Sequence, residues 1–172
     1  MKKEKVEISD GELLVRLNEQ FTYRKETGEF LRKRAWGKHK VGDVAGYNNK
    51  SYRSLSINSN DYLIHRLVYL VEHGYTPLEV DHINQIRNDN RIENLRGCDN
   101  YSQNQGNCSL RSDNTSGYRG VTWNEAAQKW KAQIMVNGIT NRLGLFTDIL
   151  EAAAAYEAAA IKHFGKFYFK AS

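Results

Sequence analysis

The sequence predicts an α+β protein built in two successive parts, and three observations carry that reading. Short strand-like segments, set off by Gly, Asn and Asp turns, recur between Phe21 and Ile64. Two brief stretches, residues 11–19 and 65–72, hold apolar side chains at helical spacing. Beyond a polar stretch at residues 108–117, three further strand-like segments are followed by an alanine-rich helix. The expected division is therefore residues 1–107, a linker at 108–117, and a second domain at 118–172.

Each element has a local reason. Asp10 is placed to cap a helix whose Leu13, Leu14 and Leu17 share one face. Residues 21–23 and 30–33 read as a hairpin turning at Gly28, and residues 52–57 and 62–64 as a second, turning at 58–61. Leu67, Val68, Leu70 and Val71 give the next segment a helical period that ends near Gly74. Pro77, the only proline, marks the turn into a strand containing Asp81-His82. In the second domain the strands are residues 118–123, 129–136 and 140–146, with Asn137-Gly138 a strong hairpin signal. The helix at residues 151–164 starts from Asp148, and its small Ala152, Ala155 and Ala159 suit close approach to a sheet.

Net charge is +5 with an isoelectric point near 9.1, which favours an anionic partner. The charge is uneven: from Tyr23 to Arg53 there are nine Lys/Arg against three acids. Within that patch Arg32, Lys33, Arg34 and Lys38 are the candidate phosphate contacts. Cys98 and Cys108 form no Cys-x-x-Cys pair, so neither a disulfide framework nor structural zinc is expected. The opening Met1-Lys2-Lys3-Glu4-Lys5 is basic with no apolar run behind it, and no membrane-length apolar stretch follows. A cytoplasmic protein with no membrane and no obligate protein partner is the expectation.

The chemistry concentrates between Val80 and Asn107. The runs are Val80-Asp81-His82-Ile83-Asn84, Asp89-Asn90-Arg91-Ile92-Glu93-Asn94-Leu95-Arg96 and Ser102-Gln103-Asn104-Gln105-Gly106-Asn107. No helix or strand period explains the spacing of their amides. A carboxylate beside an imidazole, with carboxamides further on, can hold a divalent cation and activate a water. Such a layout suits phosphodiester cleavage.

These runs, together with His65-Arg66-Leu67-Val68-Tyr69, resemble the HNH nucleases, specifically the phage and intron-associated HNH homing endonucleases. The similarity reaches back to Tyr23-Arg24-Lys25-Glu26-Thr27-Gly28-Glu29-Phe30 and covers about half the chain. It implies a ββα-metal core that binds Mg²⁺ or Mn²⁺ and cuts double-stranded DNA. By the same resemblance His82 is the general base, Asp81 and Asn104 are metal ligands, and Asn94 orients the His82 loop. The motif's last letter is then an asparagine. Two departures stand out. The stretch from Asn94 to Asn104 is one residue longer than usual, which leaves Asn100 as an alternative ligand, and Gln85 stands where a glycine often follows. A single site per chain implies a nick by a monomer, in the cytoplasm of a bacterial host if phage-encoded. The second reading is a catalytically inactive, sequence-specific DNA-binding regulator.

In the second domain, Ser116-Gly117-Tyr118-Arg119-Gly120-Val121-Thr122-Trp123, Lys129-Trp130-Lys131-Ala132-Gln133-Ile134 and Leu143-Gly144-Leu145-Phe146 resemble the plant Apetala-two/ethylene-response-factor DNA-binding domain. That family lays a three-stranded antiparallel sheet, backed by one helix, in the major groove. The resemblance names Arg119, Trp123, Trp130 and Arg142 as contacts, followed by Lys131 and Gln133. Strand parity puts Lys129, Lys131, Gln133 and Met135 on one face and Trp130, Ala132 and Ile134 on the other. It leaves open which face meets the helix, and so whether Trp130 lies in the core.

Overall fold

In the computed structural model, residues 8–99 and 106–170 are described, and the chain divides into two compact units, Met1–Asp99 and Asn100–Ser172. Both units mix helices with small antiparallel sheets, which makes the protein α+β.

In the first unit, helix α1 (Asp10–Gln20) buries Leu13 and Leu17, four residues apart on one face. Its cap is Ser9, whose hydroxyl accepts from the Glu12 amide at 3.2 Å. Asp10, expected as the cap, instead accepts from the Thr76 amide and hydroxyl at 2.7 and 2.9 Å. That contact ties the helix start to the turn before the candidate site. Strands β1 (Phe21–Arg24) and β2 (Glu29–Arg32) form the first hairpin. Its turn needs Gly28: φ is +68°, and a Cβ there would lie 2.2 Å from the Asn90 carbonyl oxygen.

Strands β3 (Tyr47–Asn49), β4 (Tyr52–Ile57) and β5 (Asn60–Leu63) make a three-stranded sheet. Helix α2 (Ile64–His73) follows at once and is nearly all core, with Ile64, Leu67, Val68 and Leu70 at most 1% exposed. Burial of each such side chain stabilises by roughly 1.5–3 kcal/mol. The helix stops at Gly74, a left-handed cap whose amide returns to the Leu70 carbonyl. Arg66 on α2 donates to the Pro77 and Leu78 carbonyls, both at 3.0 Å, and so fixes the entry to the next strand. That strand, β6 (Glu79–His82), pairs with β7 (Leu95–Cys98).

The second unit is a sheet of β8 (Val121–Asn124), β9 (Lys129–Val136) and β10 (Ile139–Phe146), in the order β10-β9-β8. Helix α3 (Ile149–Phe164) lies on it, capped by Asp148. Asn137 and Gly138 both take positive φ, as a tight two-residue hairpin turn requires. The helix buries Ala152, Tyr156, Ala160 and Phe164 rather than an all-alanine stripe. Tyr156 fits because Gly120 leaves room: a Cβ there would sit 2.2 Å from the tyrosine ring. Ala132 and Ile134 are buried, so the face of β9 that also carries Trp130 meets the helix. The stretch expected as a linker carries its own bonds: Ser116 Oγ donates to the Val121 carbonyl at 2.8 Å, and the Asn114 amide donates to the Tyr118 carbonyl at 2.9 Å.

Candidate functional site

The β6–β7 hairpin places Asp81 opposite Arg96 and His82 opposite Leu95. Neighbouring residues on a strand face opposite ways, so the carboxylate and the imidazole leave the backbone on different sides. His82 turns inward and is 5% exposed. Across the hairpin, Arg96 donates from Nε and Nη2 to Asp81 Oδ2 at 2.8 and 2.7 Å. Both side chains are only 13% exposed, so this pair is far better shielded than a surface ion pair and fixes the carboxylate.

The loop between the strands is closed by Asn94, on the 3₁₀ turn Ile92–Asn94. Its Oδ1 accepts from the Asn84 amide at 2.9 Å, its Nδ2 donates to the Asp89 carbonyl at 2.8 Å, and its own carbonyl accepts from the Ile83 amide at 2.8 Å. Asp89 in turn accepts from Asn84 Nδ2 at 2.9 Å and from the guanidinium fork of Arg91 at 2.8 Å. The Arg91 bond is the main reason the Asp89 carboxyl is held down to about 2. Gln85, at the position where a glycine often stands, has φ +62°, the left-handed conformation that glycine adopts without cost.

His82 Nε2 lies 3.1 Å from Asn90 Oδ1. An amide oxygen only accepts, so this bond assigns the proton to Nε2 and the neutral ring's lone pair to Nδ1. Around the imidazole sit His65, 5.0 Å between ring centres, and Tyr52 at 6.0 Å. Tyr52 also touches His65 at 5.1 Å and lies under the Arg87 guanidinium at 5.2 Å. Burial lowers the His82 pKa, and the Asn90 bond works the other way. Burial also pushes His65 down to about 3, aided by the charges of His82 and Arg66. Both rings are therefore neutral near pH 7.

Asp81, His82 and Asn94 are thus brought into one hairpin and its loop. Asn104 and its alternative Asn100 lie outside the described residues. Among the described residues no three His, Cys, Asp or Glu side chains cluster as a metal site. Residues 62–105 match the family model for HNH endonucleases. No curated protein and no solved structure matches the chain. The HNH segment runs from β5 through α2 and β6 to beyond β7, and it includes every residue assigned to catalysis or metal binding. It also takes in partners that single-residue reading did not assign: His65, Asn90 and Arg96. Asn90 lies in a recognised run, but only folding shows its amide turned onto the imidazole.

Outside the HNH segment the expected DNA contacts fall into different settings. Arg34 and Lys38 are exposed, Arg32 is half-buried, and Lys33 Nζ donates to the Asn18 carbonyl. In the second unit, Lys131, Gln133 and Arg142 share the sheet face away from α3, with Arg142 paired to Gln133. Trp123 and Trp130 are cross-strand partners on the helix side, their rings 5.1 Å apart and edge to face. Arg119 is engaged within its own unit. It donates to the Gly106 and Phe169 carbonyls at 3.0 and 2.9 Å, meets Cys108 Sγ at 3.0 Å, and lies over the rings of Tyr156 and Tyr168.

Proposed function

We propose that this protein is a homing-type DNA endonuclease that hydrolyses phosphodiester bonds in duplex DNA with a divalent cation and a histidine base. The observation that carries the reading is Asp81-His82 set in a braced hairpin within the HNH segment. His82 Nδ1 takes a proton from water, the water oxygen bonds to phosphorus, and the bond from phosphorus to the 3′ oxygen breaks. The leaving oxygen then gains a proton from solvent. Asn90 holds the imidazole in the tautomer this needs, and Asn94 keeps the loop in shape. The donors fit a hard cation: the Asp81 carboxylate, oriented by Arg96, with Asn104 as the second oxygen ligand. When bound, Mg²⁺ or Mn²⁺ offsets charge on the scissile phosphate and on the leaving oxygen.

The second unit is proposed as an Apetala-two-like reader that lays its open sheet face, with Lys131, Gln133 and Arg142, in the major groove. Trp123 and Trp130 pack against each other on the helix side of the sheet, and Arg119 ties the Gly106 and Phe169 carbonyls together. One HNH site per chain implies nicking by a monomer.

The test is a supercoiled plasmid carrying source genomic DNA, incubated with magnesium or EDTA, comparing the native chain with His82→Ala. Metal-dependent open circles made only by the native chain are expected, with DNA affinity kept by the variant. Linear product would replace monomer nicking with paired action on both strands. Absence of cleavage across several metals, with gel-shift binding retained, would favour an inactive DNA-binding regulator.

A further inference from the structure

The loop between β2 and β3 has a feature that cleavage does not use. From Arg32 to Lys40 there are five Lys/Arg and no acid, and in their midst Trp36 is 74% exposed. The loop is built and braced. Trp36 and His39 exchange both backbone hydrogen bonds at 3.0 Å across a tight turn, where Gly37 takes φ +57°. At the base, the Arg32 amide donates to the Asp43 carbonyl at 3.0 Å, and Asp43 Oδ2 accepts from the Lys40 amide at 2.7 Å. Val41, nearer the base, is 66% exposed.

A large exposed aromatic ring offers an apolar surface that a partner can cover. The surrounding charge selects that partner, because five Lys/Arg with only Asp43 at the loop base match a polyanion. An apolar wedge flanked by cations is suited to a base step, where partial unstacking kinks the duplex and the cations hold the neighbouring phosphates. We propose that Trp36 is a wedge that enters a base step of duplex DNA from the minor groove, with Arg34, Lys38 and Lys40 on the flanking phosphates. The proposal rests on the reading of the protein as one that acts on duplex DNA.

The test uses the full chain with His82→Ala in EDTA, so that no strand is cut. Relaxed plasmid is bound, treated with a metal-independent topoisomerase and stripped of protein, and its linking number is read on a gel. Protein carrying Trp36 shifts the linking number; Trp36→Ala at saturation does not, and Trp36→Phe restores the shift. On a mixed-sequence duplex oligonucleotide, Trp36→Ala binds roughly ten- to a hundredfold more weakly, the range for loss of one base–aromatic stack. An unchanged shift in Trp36→Ala overturns the wedge, as does a preference for single-stranded over duplex oligonucleotide that depends on Trp36. The nicking assay separates the two readings: a chain that nicks without Trp36-dependent unwinding loses the wedge and remains a nuclease. A chain that unwinds but never nicks keeps the wedge and loses the nuclease.

Discussion

Acidification should loosen the first unit, and His65 sets the size of the effect. The ring is 5% exposed, and burial holds its pKa at about 3 instead of 6.5. The folded value is the lower one, so the unfolded chain takes up the proton first as pH falls. The contribution is complete above pH 6.5 and is lost progressively toward pH 3. Each pH unit in that window costs about 1.4 kcal/mol, so at pH 5 His65 alone removes about 2 kcal/mol. Against a typical stability of about 5–15 kcal/mol that loss is readily measured. Amide hydrogen exchange at Leu67, Val68 and Leu70 of α2, corrected for intrinsic rates, reads it at about pH 7 and pH 5. His65→Phe keeps a ring of similar size and removes the titration, so its loss of protection should be smaller by about 2 kcal/mol. Equal losses in both chains, or none in the native one, would refute the reasoning. His82, also lowered by burial, adds in the same direction in both chains, and the difference between them includes its charge acting on His65.

Asn94→Ala should cost about 2–4 kcal/mol, because it strips partners from the Asn84 amide and the Asp89 carbonyl; urea denaturation reads the loss and the plasmid assay the accompanying fall in nicking. Arg119→Ala should lower the melting temperature, since it removes the bonds to Gly106 and Phe169. Arg142→Ala should leave melting unchanged and weaken DNA binding, lowering the salt slope by about 0.9 if it neutralises one phosphate. The reverse pattern would exchange the roles given to these two arginines.

Much of the fold was legible because its signals are local. The Asn137-Gly138 turn, the Asp148 cap and the helical period of α2 each lie within a few residues of their effect. Strand β3 was not legible: all three of its residues are exposed, so no alternation marks it, and it forms only through pairing with β4. Ser9 and Asp10 show the same limit at a helix start. Both residues can cap, and the choice follows from Thr76, sixty-six residues away, which takes Asp10. At the site, the residues pointed to a strand at Asp81-His82 and the resemblance to a loop ordered by Asn94, but strand β7 and the partners of those residues are long-range facts. The Arg96 bond to Asp81 depends on strand register, and His65 reaches His82 only because α2 packs against β6. Parity on β9 had two solutions, and the helix chose the one that covers Ala132 and Ile134.

The register of β6 on β7 also bears on how this segment can change length. Asp81 and His82 are adjacent, so a slip of a single residue would turn the imidazole outward and the carboxylate inward. An insertion inside either strand therefore exchanges the surroundings of the two groups, however small it is. An insertion in the stretch from Ile86 to Arg87 has no such effect, because the strands stay in step while Asn84 and Asp89 still reach Asn94. Tolerance to insertions should thus be confined to the Ile86–Arg87 stretch, because the strands are held by register and the rest of the loop by the bonds of Asn84, Asp89, Asn90 and Asn94.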